Sequence, residues 1–328
     1  MTSSANATIV LDPSAQDAVS RVSFAPDSSQ ILVSSWAGTI ALYESNSGTM
    51  RTESNVGSVV LDSTWVDNTV TTAGTLDGTV LLAIVRETGM DCRILGLHTA
   101  AVRAVSAIPN HHIIASGSWD QYIQLWDIRS NARISAITAG GKVYGTAPCG
   151  PNGIVFINST RQIRLIDFRR PDLFLYDVIP PTLSYQLRGV SASRDGKQIV
   201  VGSTEGRVAV EYIDDPARCY SFKCHRVDNL AYPVNCISHN PRYSSFTTGG
   251  ADGQVSFWDG DAKKRISQFS RYPTSVASLD FDAEVRRIAV AVSYTFEEGE
   301  KDHPPDEVIV RAVNESHFVT RDATPVAR

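Results

Sequence analysis

Five residues within about twenty positions could ligate a metal: Cys219, Cys224, His225, Cys236 and His239. Structural zinc sites use closely spaced Cys or His pairs. Here four residues separate Cys219 from Cys224, and two separate Cys236 from His239. Cys236 and Ile237, however, stand in an alternating run, where successive side chains point to opposite faces. The expectation is therefore no metal and no cofactor. His303 sits among acids in the stretch Phe296–Glu307, but a flexible loop cannot hold a general base in place. The sequence carries no G-x-S-x-G elbow, no Walker loop and no glycine-rich dinucleotide fingerprint. Nor does any set of carboxylates converge on a channel as a hydrolase would need, so no catalytic residue is assigned.

Anion binding is the other available chemistry. Arg188 (in SYQLRGV), Arg207 (in GSTEGRVAVEY), Lys223 and Arg226 (both in CYSFKCHR) fall in one stretch. Cations from adjacent loops could converge on one acidic or phosphorylated ligand. Scattered, solvated surface cations are the alternative, and spacing alone favours it.

The elements that would position these residues are short strands. In ASGSWDQYIQLWD, from Ala115 to Asp127, two period-two runs flank a tight turn at Trp119–Asp120–Gln121, which reads as a hairpin. Asp120 can accept hydrogen bonds from the turn backbone and from His98 upstream. Trp126 is placed to fill the space between repeats. Equivalent turns are centred near Ala37, Asp77, Thr160, Glu205 and Asp252, so successive turns lie 40 to 47 residues apart. A period of about 40–45 residues with a Trp-Asp ending marks the four-stranded blade of a WD-repeat propeller. Trp36 and Trp119 precede equivalent turns, so both rings belong to the same face of a disc. They either pack on their turns or contribute to a shared binding surface.

A seventh unit, TSVASLDFD, RIAVAVSY and EVIVRAV, is one strand short. The segment Ala7–Asp12 can supply the missing strand and close the ring, which removes unpaired edges. The fold expected is all-β: one seven-bladed propeller over residues 1–328. An exposed acidic loop should span 296–307, and the termini, including the tail after Ala312, should be mobile.

The chain has 328 residues, 42% hydrophobic and 20% charged, with a net charge of −5. That balance suits a globular protein and lacks the basic footprint of a nucleic-acid binder. The N-terminus does not read as a secretory signal, and no apolar run approaches the roughly 20 residues of a membrane span. Five cysteines without a paired framework suit a reducing compartment, cytosol or nucleus.

GRVAVEYID, SFKCHR, AYPVNCISHNPRYSSFTTGGADGQVSFWD, KKRISQFSRYPTSVASLDF and IAVAVSY strongly resemble the mitotic-checkpoint propellers of the Bub-three family. The resemblance extends through SSWAGTIALY and GKVYG to nearly the whole chain. It implies a non-enzymatic adaptor, monomeric itself but working in hetero-complexes, in the nucleus and at kinetochores with a cytoplasmic pool. It implies docking on phosphorylated Met-Glu-Leu-Thr repeats of the kinetochore scaffold, with Arg207 and Lys223 facing the phosphothreonine and Arg226 in support. It also implies binding of the GLEBS motifs of the checkpoint kinase and its pseudokinase-like partner through Trp36, Trp119 and Arg188. Ser191 stands where the family often has a second basic residue. The messenger-RNA export propellers of the Rae-one family share GRVAVEY and FKCHR and supply the alternative reading.

Overall fold

The computed structural model describes residues 8–108 and 111–319. Seven four-stranded antiparallel sheets form a ring of blades. Their inner strands are Val19–Phe24, Val60–Trp65, Val102–Ile108, Val143–Cys149, Leu187–Ala192, Val234–His239 and Val276–Phe281. Each packs on the next, and the first meets the last. Blades one to six run inner to outer in chain order. Blade seven instead ends on Thr8–Val10, paired with Glu307–Ala312 in the register Thr8↔Arg311, Ile9↔Val310 and Val10↔Ile309. The N-terminal strand thus closes the ring.

Strand sequence follows position within a blade. The second strand of blade three, Ile113–Ser118, is buried on both faces, and its small and β-branched residues fit between neighbouring sheets. The outer strand of blade one, Met50–Asn55, alternates half-buried and exposed, as one covered face requires. The core lies between blades. Val80, Leu82 and Leu95 of blade two meet Val102, Ile114 and Trp126 of blade three. Each side chain so buried contributes about 1.5–3 kcal/mol.

One hydrogen bond repeats in every blade. The residue that opens the second hairpin turn donates its N–H to the residue just before the inner strand. The seven pairs are Trp36–Ala18, Leu76–Val59, Trp119–Ala101, Ser159–Lys142, Thr204–Gln186, Ala251–Pro233 and Ser293–Ser275, at 2.8 to 3.0 Å. These turns define one face of the disc, and Trp36 and Trp119 occupy matching places on it. Just beyond lies a left-handed residue, such as Gly206 at φ +64°. A Cβ there would stand 2.7 Å from the Cys224 carbonyl oxygen.

The segment after Ala312 is ordered through Val319. Val313 and Phe318 join the blade-six and blade-seven core, and Ser267 donates to the His317 carbonyl at 2.9 Å. The mobile tail expected there is therefore not seen before residue 320. The remaining terminal residues lie outside the described ones.

Candidate functional site

The His–Asp pairs that stiffen the turn-bearing face come first. In blade three His98 Nδ1 lies 2.8 Å from Asp120 Oδ2, and its Nε2 lies 2.8 Å from Ser116 Oγ. Trp126 Nε1 donates to the same hydroxyl at 2.8 Å, and Asp120 accepts the Tyr122 N–H at 3.0 Å. Blade six repeats the set. His225 Nδ1 meets Asp252 Oδ1 and its Nε2 meets Thr248 Oγ1, both at 2.8 Å. Trp258 Nε1 donates to Thr248 at 2.9 Å. His225 thus serves the turn of blade six rather than a metal. The signal was present in the sequence, since His225 precedes Asp252 by 27 residues and His98 precedes Asp120 by 22.

The other candidate ligands are dispersed. His239, on an inner strand, meets Ser191 Oγ and Gln198 Oε1, and burial holds its imidazole down at about 3. Burial pushes the Cys236 thiol up to about 12 and the Cys224 thiol higher still. Among the described residues no group of three His, Cys, Asp or Glu side chains could hold a metal ion. Ser191, at the family's second basic position, is turned toward His239.

On the turn-bearing face two regions gather the candidate residues. The first is the mouth of the central channel. A cavity of about 460 Å³ is lined by Trp36, Arg103, Arg188, Asn235, Tyr294 and Phe296. Trp36 is 49% exposed and Phe296 50%, so two large apolar rings stand open at the rim. Arg188 is the second residue of the inner strand of blade five, Leu187–Ala192, and lines the cavity at the channel mouth. Burial pushes it and Arg103 below the usual guanidinium range, and Arg103 also feels the repulsion of Arg188. Arg188 Nη1 lies 3.8 Å from Glu297 Oε1. Glu297 belongs to the acidic insertion, expected as a plain exposed loop. Most of that insertion is exposed, but Glu297 is half-buried, and Tyr294, just before the insertion, is buried. Trp119 is not part of this cavity. It is half-buried, with the Lys142 ammonium 6.0 Å from its ring centroid. The structure therefore joins Trp36 to Arg188 and leaves Trp119 two blades away. Arg103 and Glu297 were missed, because their place depends on contacts between distant blades.

The second region is the rim of blade five. Arg207 and Lys223 are direct cross-strand partners, so their side chains leave the backbone about 4.5–5.5 Å apart on one face. Arg207 opens the strand Arg207–Tyr212, and Lys223 ends the strand Tyr220–Lys223. Both chains thus reach the turn-bearing rim. Arg207 Nε lies 3.6 Å from Glu205 Oε2, while Glu205 Oε1 is held by the Ser184 N–H at 2.9 Å. That leaves the Arg207 fork only loosely engaged, and Lys223 is exposed. Arg226 Nη2 donates to the Glu205 carbonyl at 2.8 Å, so it pins the turn that aims Arg207. A fork and a point charge side by side, with no other carboxylate in ion-pair contact among the described residues, can take a dianion.

The model for the WD domain, G-beta repeat matches residues 7–44, 90–127 and 217–259. The chain is 35% identical over 313 residues to the mitotic checkpoint protein bub3 of Dictyostelium discoideum, covering 90% of this chain and 92% of that one. It is 30% identical over 304 residues to the mRNA export factor GLE2 of Chaetomium thermophilum, covering 87% and 83% respectively. Among solved structures, that of U3-55K superposes with a TM-score of 0.80 at 13% identity, over 93% of this chain and 98% of the other. That likeness bears on the fold alone.

Proposed function

The chain belongs to the Bub3 family of mitotic checkpoint WD-repeat proteins, and from that premise we propose that it is a phosphopeptide-reading adaptor. It holds phosphorylated Met-Glu-Leu-Thr repeats of the kinetochore scaffold at Arg207 and Lys223. It holds the GLEBS segment of a checkpoint kinase, or of its pseudokinase-like partner, at the channel mouth through Trp36 and Arg188, with Trp119 extending the contact. Bringing the two together requires no bond-making, and the family is typically one of non-catalytic scaffolds. In this reading it works in the nucleus and at kinetochores, with a cytoplasmic pool.

The observation that carries the reading is the cross-strand pair Arg207↔Lys223. A phosphothreonine brings about −1.5 to −2 charges, and opposed cations add one to three charge-assisted hydrogen bonds. Plain threonine offers neither. The test is calorimetric titration of a Met-Glu-Leu-phosphothreonine peptide and its unphosphorylated twin, with the GLEBS segment present. Binding of only the phosphorylated form is expected. Equal binding of both would overturn the reading.

The similarity to an mRNA export factor favours a second reading, in which the same propeller serves RNA export. That reading requires RNA binding that weakens steeply with salt as counterions are released. It gains ground if RNA binds while neither peptide form does.

A further inference from the structure

Unpaired positive charge continues past Arg207 and Lys223. A groove of about 370 Å³ runs from Lys223 and Arg226 past Trp258 to Arg265, Gln268 and Arg271. It carries four cations in a chain whose net charge is −5. Its one carboxylate, Asp252, is 4% exposed and held by His225. Lys223, Arg265 and Arg271 are exposed, and among the described residues none of the three takes part in an ion pair within 4.0 Å. Trp258 lines the groove and is backed by Phe222, whose ring centroid lies 4.5 Å from its own.

The groove has a length. Gln254 marks its upper end at the rim, and Arg265 is the cross-strand partner of Trp258. Those four residues of extended strand span about 13 Å at roughly 3.3 Å per residue. An extended peptide covers the same distance with about four residues of its own. A ligand anchored by a phosphate at Lys223 therefore enters the groove directly past Arg271, and an anionic group about four residues on meets Arg265.

We propose that the far end of this groove, built by Arg265 beside Trp258, binds an acidic side chain about four residues from the phosphothreonine of the docked peptide. The inference rests on the phosphopeptide reading above. Arg265 offers a planar fork suited to a carboxylate or phosphate, Arg271 adds charge at the upper end, and Gln268 supplies an amide donor.

Fluorescence anisotropy with the full chain at fixed ionic strength tests it. One labelled phosphothreonine peptide has neutral flanks. Two others carry a pair of glutamates four residues before or after the phosphothreonine. A control of equal charge places the glutamates at the far end. One of the two flanked peptides should bind about tenfold tighter than the neutral one, as one charge-assisted contact would give. The variant Arg265→Ala should lose that gain and leave the neutral-flanked peptide unchanged. Equal binding wherever the glutamates stand would overturn the proposal, as would an equal loss for neutral and acidic peptides. Exchanging the glutamates for phosphoserine separates the sources, since a further gain assigns the groove to phosphate and no gain assigns it to carboxylate. If acidic flanks tighten binding while phosphorylation does not, the groove stands and the phosphothreonine reading fails.

Discussion

The channel mouth and the blade-five rim handle positive charge in opposite ways. At the mouth, Arg188 and Arg103 are half-buried and their pKa values lowered by burial, and Arg188 already faces the chain's own Glu297. At the rim, Arg207 and Lys223 stand on adjacent strands, and the one carboxylate in ion-pair contact with them among the described residues, Glu205, lies 3.6 Å from Arg207. Arg188 and Arg207 keep the same side-chain exposure, 28%, but burial lowers the Arg188 pKa, and a desolvated, partnered arginine adds little unless a ligand replaces its partner with equal geometry. The apolar rings of Trp36 and Phe296 must therefore carry much of the affinity at the mouth. Half-buried Arg207 beside the exposed Lys223 gains most from a ligand of high charge. The mouth is suited to reading shape and the rim to reading phosphorylation, and variants can separate the two.

The largest effect should come from the rim. Replacing both Arg207 and Lys223 by alanine removes two charge-assisted contacts of about 1.5–3 kcal/mol each, more than a hundredfold in phosphopeptide affinity. GLEBS binding should change less than about twofold, since well-separated sites act independently. Titration of each ligand checks both halves, and a parallel loss would merge the two regions into one. Trp36→Ala should do the reverse. Truncating an aromatic anchor costs about 2 kcal/mol or more, roughly thirtyfold, on the GLEBS segment, with the phosphopeptide spared.

The third effect concerns the frame beneath both regions. Burial holds His239 at about 3 in the folded chain, below the roughly 6.5 of an unfolded histidine. The unfolded state therefore binds the extra proton, and this contribution to stability is lost as pH falls from about 6.5 toward 3. Asp280 opposes it, because burial raises its carboxyl to about 6. Its folded form binds the extra proton and gains on acidification. Urea unfolding at pH 7 and pH 5 should show His239→Asn losing about 1–2 kcal/mol of pH dependence relative to the parent. An unchanged difference between the two pH values would remove His239 from the balance.

The smallest effect should come from Glu297→Gln. Releasing Arg188 from a partner 3.8 Å away should tighten GLEBS binding about threefold, in the range of a partly exposed ion pair. Weaker binding would mean that Glu297 orients Arg188 rather than competes for it.

The parts of this arrangement that depend on local chemistry are legible in the sequence. Turn residues and alternation place the seven blades, and the spare N-terminal strand follows from counting. Arg207 and Lys223 are brought together in the sequence only by the family resemblance, because spacing alone favours scattered cations and their cross-strand register is set by the fold. The parts that depend on contacts between blades are not legible. Trp36 and Trp119 occupy equivalent turns, yet only Trp36 borders the mouth cavity, because the insertion of blade seven lies beside blade one. Glu297 reaches Arg188 across the channel, and no periodicity signals that. His225 resembles a metal ligand in a list of spacings. Its partners Asp252 and Thr248 decide otherwise.

The most direct test of the central claim is a double-mutant cycle between the phosphate and Arg207. Affinities are measured by calorimetry for the phosphorylated and plain peptides against the parent chain and Arg207→Ala. The account predicts a coupling of about 2 kcal/mol or more, as expected for a charged hydrogen-bonded pair. Additive losses, with Arg207→Ala weakening both peptides alike, would contradict it.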